Sequence, residues 1–154
     1  MADQATLARG IVDANLYMTL GTADADGRPW ASPVYYAADA YRDFYWVSSP
    51  DARHSLNIAA RPEVGIVIFD SRVALGQAQA VYMMALAEQL TGAELERGIE
   101  VFSRVSAAHG ASEWTAADAQ PPALHRLYRA TVSEHSILDP ERQGVDSRTR
   151  VVLG

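Results

Sequence analysis

Apolar residues recur at two different spacings along this chain, and the places where the spacing changes divide it into elements. Over residues 3–14, Leu7, Ile11 and Val12 fall on one helical face behind Asp3, whose carboxylate suits an N-cap. From Tyr17 the alternation becomes that of strands. Segments 17–23 and 30–38 are joined across Asp24-Ala25-Asp26-Gly27, a combination that suits a tight hairpin with a positive φ. Pro33 lies inside the second of these segments and gives no amide to a ladder, so that strand is expected to meet an edge, a bulge or a ligand there.

A third strand is predicted over 44–48, followed by a short helix over 51–60. Segment 64–70 is nearly continuous apolar sequence, which predicts a strand at the centre of the sheet with both faces covered. After a loop at 71–76, residues 78–90 read as a long strand. Thr91-Gly92-Ala93-Glu94 fits a capping box with Leu90 and Leu95 as its staple, and Leu95, Ile99, Phe102 and Val105 carry a helical face on to Gly110. Beyond Pro121-Pro122, residues 126–138 return to strand character. Six strands, with hairpin-length turns between the first three, predict a small antiparallel barrel with peripheral helices. The organisation expected is one domain over 1–138 and a polar tail over 139–154 that ends on Val151-Val152-Leu153 and is either loose or docked on a partner subunit.

Composition narrows the chemistry. With 154 residues, 49% of them hydrophobic, the chain fills one core and is too short for two ordinary domains. A formal net charge of -6 argues against general affinity for nucleic acid or anionic membrane, so any anion site must be local. There is no cysteine, and His54, His109, His125 and His135 form no pair at ligand spacing, so no metal site is expected. No leader or membrane span is read in the sequence, which leads to the expectation of a soluble, cytoplasmic protein.

The stretch Phe44-Tyr45-Trp46-Val47-Ser48-Ser49-Pro50-Asp51-Ala52-Arg53-His54 holds the most chemistry. Free amides at a helix start, the hydroxyls of Ser48 and Ser49 and the guanidinium of Arg53 would converge on one point, as a phosphate monoester requires. A plain helix cap, with Ser49 as N-cap and Pro50 in the first turn, fits the same residues. The aromatic residues Tyr35, Tyr36, Tyr45 and Trp46 suit strand packing. His109 and His125 read as helix-end and loop residues and His135 as a strand residue, none of them catalytic.

In order and spacing, the hairpin at 17–29, the strand Ala31-Ser32-Pro33-Val34-Tyr35-Tyr36, the serine-arginine stretch and Gln79-Ala80-Val81-Tyr82 resemble the pyridoxamine 5′-phosphate oxidase-like, FMN-binding split-barrel superfamily over residues 7–138. The resemblance implies a mainly β (α+β) fold, a six-stranded antiparallel split β-barrel with peripheral helices. It also implies a homodimer with FMN at the interface. Ser32, Pro33, Val34 and Tyr35 would then lie along the flavin ring, Ser48, Ser49, Arg53 and His54 would hold its phosphate, and Gln79 would reach the ring or ribityl chain. His54 stands where many relatives carry lysine and Ser32 where the vitamin B6 oxidases carry arginine, and those enzymes' C-terminal basic motif is missing, which disfavours a true pyridoxamine phosphate oxidase. The expected function is an FMN-dependent oxidoreductase acting on a small molecule. The alternatives are a reductase using the deazaflavin F420, with Arg61, Arg72, Arg142, Arg148 and Arg150 as candidates for its anionic tail, and a non-catalytic barrel that binds flavin or haem.

Overall fold

The strands curl into a half-barrel whose two end strands are consecutive in the chain. The structure, a computed structural model, describes residues 3–138 and 147–154. Helix α1 (Gln4–Ala14) leads into β1 (Tyr17–Ala23), β2 (Pro29–Tyr35), β3 (Ala37–Asp39) and β4 (Asp43–Ser48). Helix α2 (Arg53–Ala60) then connects to β5 (Glu63–Phe69) and β6 (Ala80–Gln89). Helix α3 (Gly92–Ala108) and a 3₁₀ turn (Ala116–Ala119) precede β7 (Arg126–Leu138), and β8 (Arg148–Val151) follows. The sheet order is β2-β1-β5-β6-β7-β4-β3, antiparallel throughout, with β8 beside the far half of β7. This is the expected mainly β, antiparallel split barrel with peripheral helices, built from eight strands where six were predicted.

One of the added strands comes from the break at Tyr36. Its hydroxyl donates to the carbonyls of Val12 at 2.6 Å and Asn15 at 2.9 Å, and its amide donates to Leu16 at 3.1 Å. Anchored there, the predicted strand 30–38 divides: β2 pairs with β1 on one side of the break and β3 with β4 on the other. Tyr36 and Ala37 are consecutive and both buried, the first in the barrel core and the second against α3. β2 is an end strand whose Pro33 pairs with Thr19, so the proline lies at an edge, as its missing amide requires.

The other added strand lies in the tail. β8 pairs with β7 and buries Val151 and Leu153 in the barrel core, while Arg9 Nε donates to the Leu153 carbonyl at 3.0 Å. The end of the chain therefore packs on its own barrel. β5 lies inside the sheet as predicted, but its burial alternates, with Val64, Ile66 and Ile68 in the core and Gly65 and Phe69 exposed. The apolar run covers one face and leaves the other open.

Local signals hold where no competing partner intrudes. Asp3 caps α1, accepting from the Thr6 amide at 2.9 Å, and Asp24 accepts from the amides of Asp26 and Arg28 at 2.9 Å around Gly27 with φ 86°. The box at Thr91 does not form: Thr91 makes no capping bond, and the Glu94 carboxylate takes Arg97 and Arg129, each at 2.6 Å. α2 starts at Arg53 behind Ala52, because the Ser49 hydroxyl is engaged earlier by the Asp51 amide at 3.2 Å. A second core lies outside the barrel, where Leu95, Ile99 and Phe102 of α3 cover Ala37, Tyr45 and Leu127.

Candidate functional site

At the start of α2 the structure brings together Ser48, Arg53, His54 and Trp30. His54 is buried with Nε2 2.8 Å from Ser48 Oγ, and burial holds its pKa below the ordinary value, so the ring is neutral at neutral pH. The exposed Arg53 guanidinium lies 4.3 Å from the centroid of the Trp30 ring, a cation–π contact. Ser49 takes both amides that precede the helix, Asp51 on its hydroxyl at 3.2 Å and Ala52 on its carbonyl at 3.2 Å. Behind them Asn57 Nδ2 donates to Thr22 at 3.0 Å, which ties α2 to β1.

The four β2 residues expected to share one ligand divide between the faces of the sheet. Ser32 and Val34 pair with Leu20 and Met18 and point inward, whereas Pro33 and Tyr35 pair with Thr19 and Tyr17 and point outward. Gln79 precedes β6, at the end of β5 and β6 away from α2, and its buried Oε1 has no hydrogen-bond partner among the described residues.

Two of the clefts in the structure adjoin the outer face of β1 and β2. The first is a cleft of about 330 Å³ floored by Gly21 and Gly65, which face each other across β1 and β5, and walled by Thr19, Val67, Tyr82 and Met84. A Cβ on Gly21 would stand 3.4 Å from the Gly65 carbonyl, so the backbones present a flat floor. Arg148 closes one side, its guanidinium 5.4 Å above the Tyr82 ring.

The second is a cleft of about 470 Å³ between β2 and α3, lined by Tyr17, Tyr35, Phe102, His109, Trp114 and His125. Its rings meet edge to face: Tyr35 lies 6.2 Å from Tyr17, 5.8 Å from Phe102 and 5.9 Å from His109, and Trp114 lies 5.8 Å from Phe102 and 5.9 Å from His125. Tyr35 Oη is 2.7 Å from His109 Nδ1. Burial first, and then the Tyr17 hydroxyl, push the Tyr35 phenol above its ordinary pKa and keep it protonated. The Trp114 wall is fixed by its amide, which donates to Ser103 Oγ at 2.8 Å, and by the capping box of Thr115 and Asp118 behind it.

Sequence reasoning singled out only Tyr35 among these six as a ligand contact. His109 and His125 read from the sequence as helix-end and loop residues, because His109 meets Tyr35 only through the packing of α3 and His125 reaches the cleft only beside Trp114. The one local signal was a histidine immediately before Gly110 at a helix end.

The family model for pyridoxamine 5′-phosphate oxidase matches residues 7–138. No curated protein matches the sequence. Among solved structures the chain is similar to a haem-binding protein from Mycobacterium smegmatis, at 22% identity over 97% of this chain, with a TM-score of 0.71. It is also similar to the haem storage protein HutZ from Vibrio cholerae, at 18% identity over 86% of this chain and 92% of that one, with a TM-score of 0.67. ChuZ from Campylobacter jejuni matches at 13% identity over 93% of this chain, with a TM-score of 0.69. The chain spans 59% of the M. smegmatis protein and 56% of ChuZ.

These likenesses correct the cofactor expectation. The flavoprotein reading, with FMN or F420 as cofactor, is set aside, since two of the similar structures are described as a haem-binding and a haem storage protein. Of the residues expected to hold an anionic group, Ser48 lies against His54, Arg61 donates to the Ala25 carbonyl, Arg72 pairs with Asp70 and Arg150 with Glu134, and Arg53 and Arg148 lie over the rings of Trp30 and Tyr82. Arg142 lies outside the described residues. Among the described residues no helix is long and apolar enough to cross a membrane. The matched span runs from within α1 to the end of β7 and takes in seven of the eight strands, and the chain belongs to the pyridoxamine 5′-phosphate oxidase family.

Proposed function

We propose that this chain is a haem-binding barrel without catalytic chemistry of its own, which holds the macrocycle in the aromatic cleft between β2 and α3, and that two copies pair through the outer face of the sheet. The supporting observation is the lining of that cleft. Its volume of about 470 Å³ lies within the usual range for cofactor pockets, and its walls are aromatic and aliphatic with two imidazoles among them. Aromatic and aliphatic walls suit an apolar macrocycle, and imidazole is a common protein ligand of haem iron. When bound, the iron supplies a coordination position for an imidazole. The residues of the chain do the rest: Phe102 and Trp114 keep water from one side, Leu16, Tyr17 and Val47 extend the apolar surface, and Tyr35 fixes the orientation of His109.

The haem named for the M. smegmatis and V. cholerae proteins supports the same ligand class through a shared fold. Tyr17 supports the pairing of two copies, since it lines the cleft and also stands on the outer face of β1, so that a partner seated there would cover the cleft.

Titration of ferric haem into the purified chain tests the reading. The expected result is a shifted, sharpened Soret band that saturates at a single equivalent of haem per chain. A spectrum identical to that of free haem at every ratio refutes it.

A further inference from the structure

We infer that Nε2 of His109 is the iron ligand in this cleft and that Tyr35 is the positioning residue that aims it. The inference rests on the haem reading and deepens it, by naming the atom on which binding depends.

Of the four histidines, His109 alone combines an opening onto the cleft with a fixed ring. His54 is buried against Ser48, and His135 donates from Nε2 to the Tyr41 carbonyl on the other side of the barrel. His125 reaches the cleft, but its ring makes only an edge contact with Trp114, and no side-chain hydrogen bond holds it among the described residues. The His109 ring is held at Nδ1 by Tyr35 Oη at 2.7 Å, while Nε2 has no hydrogen-bond partner among the described residues. Metal-ligating histidines take this arrangement: one ring nitrogen engages an oxygen, which fixes tautomer and direction, and the other presents its lone pair. With the proton on Nδ1 donated to the tyrosine oxygen, Nε2 is the donor atom.

The backbone supports the same geometry. His109 caps α3 with φ -95° and ψ 11°, its amide donates to the Ser106 carbonyl at 3.0 Å, and Gly110 with φ 89° turns the chain away. The imidazole therefore stands at the carbonyl end of a 17-residue helix, where the partial negative charge favours a cation.

Ferric haem titrated into the full chain and into His109→Ala, His125→Ala and Tyr35→Phe variants tests the assignment, with absorbance and electron paramagnetic resonance as readouts and circular dichroism to confirm folding. The wild type is expected to give an imidazole-ligated spectrum. His109→Ala should lose that spectrum and bind haem about a hundredfold more weakly, with the spectrum restored by millimolar imidazole. Tyr35→Phe should keep histidine ligation but weaken binding roughly tenfold through the lost orientation of the ring. His125→Ala should keep the wild-type spectrum. If His109→Ala retains the wild-type spectrum and affinity, or if the loss falls on His125→Ala, the assignment is wrong while the haem reading stands. If the wild type binds no haem, both fail together.

Discussion

Two histidines, buried His54 and half-buried His135, carry a stability cost that depends on pH. Burial lowers the pKa of both His54 and His135, partly opposed in His135 by its bond to the Tyr41 carbonyl. Both are therefore neutral in the fold under conditions where the unfolded chain has begun to take up protons. Their contribution is fully present above the ordinary histidine pKa of about 6.5 and is lost as the pH falls below it towards the lowered folded value. We expect the urea midpoint to fall between pH 7.5 and 5.5, with a slope of at most about 1.4 kcal/mol per pH unit from each histidine. His54→Gln should remove one share, and a flat urea midpoint in the wild type across that window would contradict the burial. The same residue shows what the sequence could not convey at this scale. A histidine after an arginine at a helix start looks like a second phosphate cation, and only the packing of α2 reveals a neutral ring facing Ser48. Asp3 and Asp24 were legible because their partners lie within four residues. Glu94 was not, because Arg129 reaches it from 35 positions away.

At the scale of elements, α3 reaches its sheet only because residue 98 has no side chain. A Cβ on Gly98 would stand 2.9 Å from Leu90 Cδ1 and from Tyr45 Cε1, and 3.0 Å from Leu127 Cδ2. All three neighbours are buried, so none can swing into open space. Replacing a helical glycine with alanine ordinarily gains about 1 kcal/mol, whereas overpacking a closed core costs about 1–3 kcal/mol. Gly98→Ala is expected to be neutral to destabilising by up to roughly 2 kcal/mol in chemical denaturation, and Gly98→Val more so. A gain of about 1 kcal/mol in Gly98→Ala would show that the contact is loose. Because Phe102 and His109 lie further along the same helix, a displaced α3 should also weaken haem binding. The helix was legible from its apolar face, and the close approach was not, since nothing in the sequence names Tyr45 and Leu127 as the surface it meets. The division of segment 30–38 was hidden in the same way: alternation continues through Val34 and Tyr36 while the pairing partner changes from β1 to β4.

For the whole molecule, the open face of the sheet bears on how the proposed site is completed. Tyr17 at 62% exposure, Met84 at 60%, Leu86 at 57% and Phe69 at 47% stand on β1, β6 and β5, around the flat strip of Gly21 and Gly65. Solitary exposed apolar residues are ordinary, but large ones gathered on one sheet face mark an interaction surface. The antiparallel order was legible from turn lengths and periodicity. The open face was misread because the apolar run at 64–70 suggests a strand covered on both sides, and one chain covers only one. In the proposed homodimer a second copy covers the other, which accounts for Val67 and Phe69 in that run. Since Tyr17 belongs to both the face and the cleft, association and haem binding should be coupled. Met84→Glu places a carboxylate at the centre of the face, where a two-fold partner would bring its counterpart close, and burying such charges unpaired costs several kcal/mol. Sedimentation at micromolar concentration is expected to show a wild-type dimer and a folded Met84→Glu monomer with weakened haem affinity. A wild-type monomer that binds haem tightly would break the coupling, leaving the cleft complete within one chain and the open face to a different partner.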